Sequence, residues 1–76
     1  MKIFNFCKDE ETFLIENCNF TDDELQVFKY KQKGWSIVQI AMAIPTSERT
    51  VNTIVDRIVN KIIRTLIIRA IKNKPN

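Results

Sequence analysis

Arg49, Asn52, Thr53, Asp56 and Arg57 follow one another at steps of three, one, three and one, which on a helix gathers them along one side. Val51, Ile54, Val55 and Ile58 fill the intervening steps and define the opposite, core-facing side. A helix with an apolar back and a face of guanidinium, amide, hydroxyl and carboxylate groups is equipped for recognition. Its width fits the major groove of a duplex, where base edges carry a distinguishable donor and acceptor pattern. Turnover is a poor fit. The chain has no histidine, and no Ser, Cys or Asp stands at motif spacing from a base that would activate it. Cys7 and Cys18 lack the C-x-x-C spacing of a metal or redox site, so no metal and no cofactor are expected. Both thiols are expected reduced, with Cys18 on an apolar face.

Charge points the same way once the chain is divided. Residues 1–24 hold two lysines against seven acids, a net of −5, whereas residues 25–76 hold ten basic residues against Glu48 and Asp56, a net of +8. The total of +3 hides this asymmetry, which favours a polyanion as partner for the second half. "MKIFNF" is too short and too lightly apolar for a signal sequence, and no run approaches a membrane span. A cytoplasmic protein without a membrane partner is the expectation.

The elements that must position the polar face are written in short-range signals. With one glycine, two prolines and 45% apolar residues in 76, the chain reads as helices joined by short turns, and as one small domain over 1–76. Isoleucine mildly favours strands, but its spacing here is helical. "MKIFNF" is compatible with an extension or a short strand. "DEETFLIENC", 9–18, reads as a short amphipathic helix with Phe13, Leu14 and Cys18 on one side. Then "TDDE" is a capping box, Thr21 with Glu24, flanked by Phe20 and Leu25 in staple positions. The helix it opens runs to Gly34, which suits the left-handed residue after a helix end. Ser36 with Gln39 repeats the capping box, and Trp35 with Ile40 the staple. That staple position favours core packing for Trp35 over stacking on a single strand. Ile37, Ile40, Ala41 and Ile44 line the buried side of this second helix, which Pro45 stops. Ser47 caps a third helix beginning Glu48-Arg49-Thr50. Two helices joined by so few residues form a helix-turn-helix, a unit that projects its second helix outward.

These residues resemble a known family. "FTDDELQVFKYKQKGWSIVQIAMAIPTSERTVNTIVDRIVNKI" is similar to the DNA-binding domain of LuxR/GerE-type transcription regulators. The positions that match its pattern without a gap are Thr21, Glu24, Val27, Gly34, Ser36, Ile40, Ala41, Ser47, Thr50 and Val51. Region four of bacterial sigma factors shares much of this layout. The resemblance implies an all-α fold of about four helices and places Asn52, Thr53 and Asp56 at groove-facing positions. Asn52 would pair with adenine, Thr53 would meet a thymine methyl or a base edge, and Asp56 would accept from cytosine. A carboxylate at Asp56 is repelled by phosphate unless it meets such an amino group or pairs with Arg57 or Asn60. Ser36, Ser47, Arg49, Thr50, Arg57 and Lys61 suit phosphate, and Lys29, Lys31 and Lys33 extend the basic flank.

The departures from the family are as informative. Asp23 stands at a usually basic position, Thr46 at an apolar one, and Thr53-Ile54 at a frequent Asn-His. After Ile62 the family turns at a glycine into a separate fourth helix. "KIIRTLIIRAIKNK" has neither glycine nor proline, so the third helix is expected to run on to about residue 72 or to break weakly near Thr65. The chain thus divides into an acidic segment at 1–19, a core at 20–62 and an extension and tail at 63–76. Val59, Ile62, Ile63, Leu66, Ile67, Ala70 and Ile71 form a wide apolar stripe, broadened by Ile58 and Ile68. Part of it can pack on the N-terminal helix, and the remainder suits a partner helix in a homodimer. The expectation is a small stand-alone regulator that binds double-stranded DNA as a homodimer through its third helix, 47–60. The alternative is a protein-interaction module on the same scaffold, with RNA polymerase or another regulator as partner.

Overall fold

Local signals drive the secondary structure of the computed structural model, which describes residues 5–72. Four helices follow one another: α1 (Lys8–Asn17), α2 (Asp22–Gln32), α3 (Ile37–Ala43) and α4 (Glu48–Lys72), with no strand among the described residues. The fold is the expected small all-α helix-turn-helix with an extended C-terminal helix. Residues 1–4 of "MKIFNF" and residues 73–76 of the tail lie outside the described residues, and Asn5 to Cys7 are irregular.

The caps of α2, α3 and α4 form as the sequence anticipates. The Thr21 hydroxyl accepts from the Glu24 N–H at 3.3 Å, and the Glu24 carboxylate accepts from the Thr21 N–H at 3.0 Å. Ser36 and Gln39 make the same reciprocal pair at 3.2 and 2.8 Å. Ser47 accepts from the Thr50 N–H at 3.1 Å. Gly34 ends the α2 turn at a φ of +88°, a left-handed conformation that side chains disfavour. Asn19 adopts a φ of +56° between α1 and α2, a region that asparagine tolerates better than most residues. At α1, Glu10 accepts from the Cys7 N–H at 3.1 Å.

α4 is the axis of the molecule. Its 25 residues run unbroken to Lys72, a rod of about 37 Å at 1.5 Å per residue. The open alternative of a break near Thr65 is not taken, because no residue there interrupts the backbone ladder. Helices α1, α2 and α3 all pack on α4. The core joins Leu14 and Cys18 of the α1 region, Val27 and Phe28 of α2, Ile40 of α3, and Val51, Ile58 and Ile62 of α4. Phe20 and Phe6 place their rings 5.2 and 6.3 Å from that of the buried Phe28. Removing all of this apolar surface from water, at roughly 25 cal/mol per Å², is the main stabilising term. Among the described residues no helix is long and apolar enough to cross a membrane.

The N-terminal segment is tied down by contacts distant in sequence. The Gln32 side-chain carbonyl accepts from the Phe6 N–H at 3.0 Å, while its amide donates to the Phe6 carbonyl at 3.0 Å and to Glu11 at 3.1 Å. Farther along, the Arg69 guanidinium lies over the Phe13 ring at 4.5 Å. The Cys18 thiol donates to the Thr65 hydroxyl at 3.2 Å. Burial pushes the Cys18 thiol up, against the opposing effects of Thr65 and Lys61, and so keeps it protonated for that bond.

Candidate nucleic-acid interface

The back of α4 is sealed before its front can be offered to anything. Val51 and Ile58 are fully buried, and Ile54 and Val55 pack against the same core. This fixes the rotation of the helix. Asn52, Thr53, Asp56 and Arg57 are therefore exposed, together with Arg49 one turn earlier. The Thr53 hydroxyl donates back to the Arg49 carbonyl at 3.1 Å, which satisfies its proton within the helix. Asn52 keeps a donor and an acceptor on one exposed amide, the arrangement that matches an adenine edge.

Ser36 and Ser47 occupy the starts of α3 and α4 and are exposed. Each hydroxyl accepts in its cap, and that of Ser47 also lies 3.0 Å from the Thr50 hydroxyl. A capping hydroxyl that accepts from backbone can still donate its proton to a phosphate oxygen. Arg49, Thr50 and Arg57 are exposed on the same helix as Asn52, Thr53 and Asp56, with Ser47 at its start, and Ser36 stands at the start of α3.

Two residues stand elsewhere than the sequence suggested. Lys61, expected to reach phosphate, turns inward: its ammonium donates to the Glu24 carboxylate and, at 3.2 Å, to the Asn19 carbonyl. Glu24 is only 4% exposed, so a cation is required beside it. Burial alone would raise the Glu24 carboxyl. The bond and charge of Lys61, with the Thr21 N–H, outweigh burial and hold it below the ordinary carboxylate value. Ile62, counted with the outward stripe, is 1% exposed and belongs to the protomer's own core, and Val59 beside it is half-buried. The stripe narrows to Ile63, Leu66, Ile67, Ala70 and Ile71, all exposed, with Ile68 at its border.

Trp35 is half-buried and stacks on Tyr30, with ring centroids 4.3 Å apart and 17° between planes. A feature that sequence reasoning passed over lies beside it. Val38 and Met42 face solvent from α3, Met42 at 80% exposure, and a shallow open depression is lined by Trp35, Gln39, Met42 and Ala43. The signal was present as an apolar pair four residues apart, opposite Ile37, Ile40, Ala41 and Ile44.

An outward polar helix, braced from behind by a shorter helix through a tight Pro45 turn, is the geometry of a helix-turn-helix reader. No curated protein and no solved structure matches the chain. The family model of bacterial regulatory proteins, luxR family (GerE), matches residues 19–69, more than half of the chain. Its match begins at the turn before α2 and extends well into the second half of α4. The chain belongs to the luxR family of bacterial regulatory proteins, whose helix-turn-helix domain binds DNA.

Proposed function

We propose that the protein is a transcriptional regulator that inserts the N-terminal half of α4, residues 47–60, into the major groove of duplex DNA. Asn52, Thr53 and Asp56 meet base edges, with Asp56 accepting from a cytosine amino group. Ser36, Ser47, Arg49, Thr50 and Arg57 hold the phosphates on either side. The DNA partner implies work in the bacterial cytoplasm, and a homodimer formed through Ile63, Leu66, Ile67, Ala70 and Ile71 brings two such helices to one site. The supporting observation is the single exposed face of Arg49, Asn52, Thr53, Asp56 and Arg57 on a helix whose opposite face is locked in the core.

Selection of bound duplexes from a random pool tests this reading. Recovery of a common sequence, lost in Asn52→Ala, supports it; recovery of no duplex at low salt overturns it. One observation favours a second reading. The exposed Val38 and Met42 beside Trp35 would suit a protein contact, with RNA polymerase or another regulator as the partner. Met42→Asp would then abolish regulation while leaving DNA affinity intact.

A further inference from the structure

The fold consumes some of the cations of α4 and leaves others. Lys61 is spent on Glu24 and the Asn19 carbonyl, and the Arg69 guanidinium lies over the Phe13 ring. Arg49, Arg57 and Arg64 are exposed, and among the described residues no hydrogen bond or ion pair engages their side chains. Arg64 stands outside the 47–60 segment, yet it continues a row that begins inside it. Thr50, Arg57 and Arg64 follow at two steps of seven residues, all exposed along an unbroken helix. Seven residues are nearly two turns, so such a row drifts by only about 20° per step and keeps to one edge of the helix. We infer that Thr50, Arg57 and Arg64 form a rail of phosphate contacts along one strand of the duplex, with Arg64 supplying the outer contact that Lys61 does not.

Position along the rod decides what Arg64 meets. It lies eight residues past Asp56, about 12 Å along the helix axis. The major groove is about 12 Å wide and winds around the duplex, whereas α4 runs on without a turn. The far end of the rod therefore rises from the groove floor and passes over the sugar–phosphate wall. A short side chain there falls short of the DNA. A guanidinium on its long stem spans the gap and can bind two oxygens of one phosphate.

The unbroken backbone makes this contact possible. A turn after Ile62 would carry residue 64 off the axis of the groove-facing half, and the row would end at Arg57. At the other end of the rail, the Thr50 hydroxyl lies 3.0 Å from that of Ser47. The two hydroxyls share one bond, which leaves one proton of the pair for a phosphate oxygen. Charge thus increases outward along the row, from a hydroxyl at the helix start to two guanidinium groups.

This inference rests on the DNA-binding reading above, and one set of titrations separates the two. The full chain and its Arg57→Ala, Arg64→Ala and Arg64→Lys variants are titrated with the selected duplex and with random duplex, from about 50 to 200 mM salt. Arg64→Ala is expected to flatten the log–log slope by about 0.9, so that its deficit against the wild type shrinks about 3.5-fold over that range. The deficit should be alike on both duplexes, because phosphate carries no sequence. Arg64→Lys should keep the wild-type slope. The urea midpoint should not move in either variant, since Arg64 is exposed.

The strand is read with selected duplexes that carry one neutral methylphosphonate at a time. One such position should erase the difference between the wild type and Arg64→Ala. It should lie on the same strand as the position that does so for Arg57→Ala. A slope unchanged by Arg64→Ala, a flattening that lysine does not restore, or matching positions on opposite strands each overturns the rail and leaves groove insertion standing. No affinity of the wild type for any duplex at low salt overturns the DNA reading itself and the rail with it.

Discussion

Lys61, midway along α4, closes over the Glu24 carboxylate at the start of α2 and reaches the Asn19 carbonyl in the turn before it. The same Glu24 oxygen accepts from the Thr21 N–H, so one carboxylate both caps α2 and anchors it to α4. Lys61→Met leaves that buried carboxylate without its cation. A loss of about 1–3 kcal/mol is expected, below the usual figure for a fully buried pair because the lysine is one-third exposed. The salt dependence of DNA binding should stay as in the wild type, since this lysine is already paired with Glu24. Urea denaturation and DNA titration of the same variant check both statements.

Acid should weaken the same junction. Glu24 has its folded pKa lowered from an ordinary 4.5, so it contributes stability that is present above 4.5 and lost as pH falls through the folded value. Glu10, lowered chiefly by its bond from the Cys7 N–H, acts in the same direction at the exposed start of α1. The urea midpoint should be level above about pH 5 and decline below it. Glu24→Gln should reduce stability at neutral pH and flatten much of that decline. An unchanged acid profile in this variant would assign the pH dependence to other carboxylates.

Phosphate neutralisation has a salt signature. Affinity for duplex DNA should fall steeply with salt, with a slope of log K against log salt of about −0.9 per phosphate contact. Arg49→Ala and Arg57→Ala should each flatten the slope by about one contact. Both guanidinium groups are exposed, so neither substitution should disturb the fold.

Base reading and phosphate holding separate at Asn52. Asn52→Ala should cost about 1–3 kcal/mol on the selected site, confined to one position of each half-site. On random duplex the loss should be much smaller, because phosphate contacts set that affinity. Equal losses on the two targets would show that Asn52 only positions the backbone.

The seam can be broken without breaking the protomer. Ile67 is 53% exposed, so Ile67→Glu should leave the helix content and urea midpoint of the monomer close to wild type. A charge in a pairing interface is costly to desolvate, so if the proposed homodimer forms through this stripe, the wild type should sediment as a dimer and the variant as a monomer. Its affinity for a two-half-site duplex should fall by about a hundredfold, with single half-site affinity retained.

Much of this protein is legible in one dimension. Thr21 with Glu24, Ser36 with Gln39, Ser47 with Thr50, Gly34 and Pro45 act over four residues or fewer, so the helix starts and stops could be located from the chain alone. The outward face of α4 was equally readable, because Val51, Ile54, Val55 and Ile58 repeat with the helical period and leave one side for Asn52, Thr53 and Asp56. The absence of glycine and proline between Ile62 and Lys74 already favoured a helix that continues, with a weak break near Thr65 as the open alternative.

Tertiary structure decided what neighbouring residues of the same type do. Arg57 and Lys61 are cations one turn apart; Arg57 remains exposed, and Lys61 is drawn inward by Glu24, 37 positions away. Ile62 and Ile63 are adjacent and identical, yet one is 1% and the other 45% exposed. Gln32 secures Phe6 across 26 positions with no local signal. The physical reason is common to all three. Caps and periodicity are satisfied within a few bonds of chain, whereas the identity of a side chain's neighbours depends on where α1 and α2 come to rest against the rod of α4.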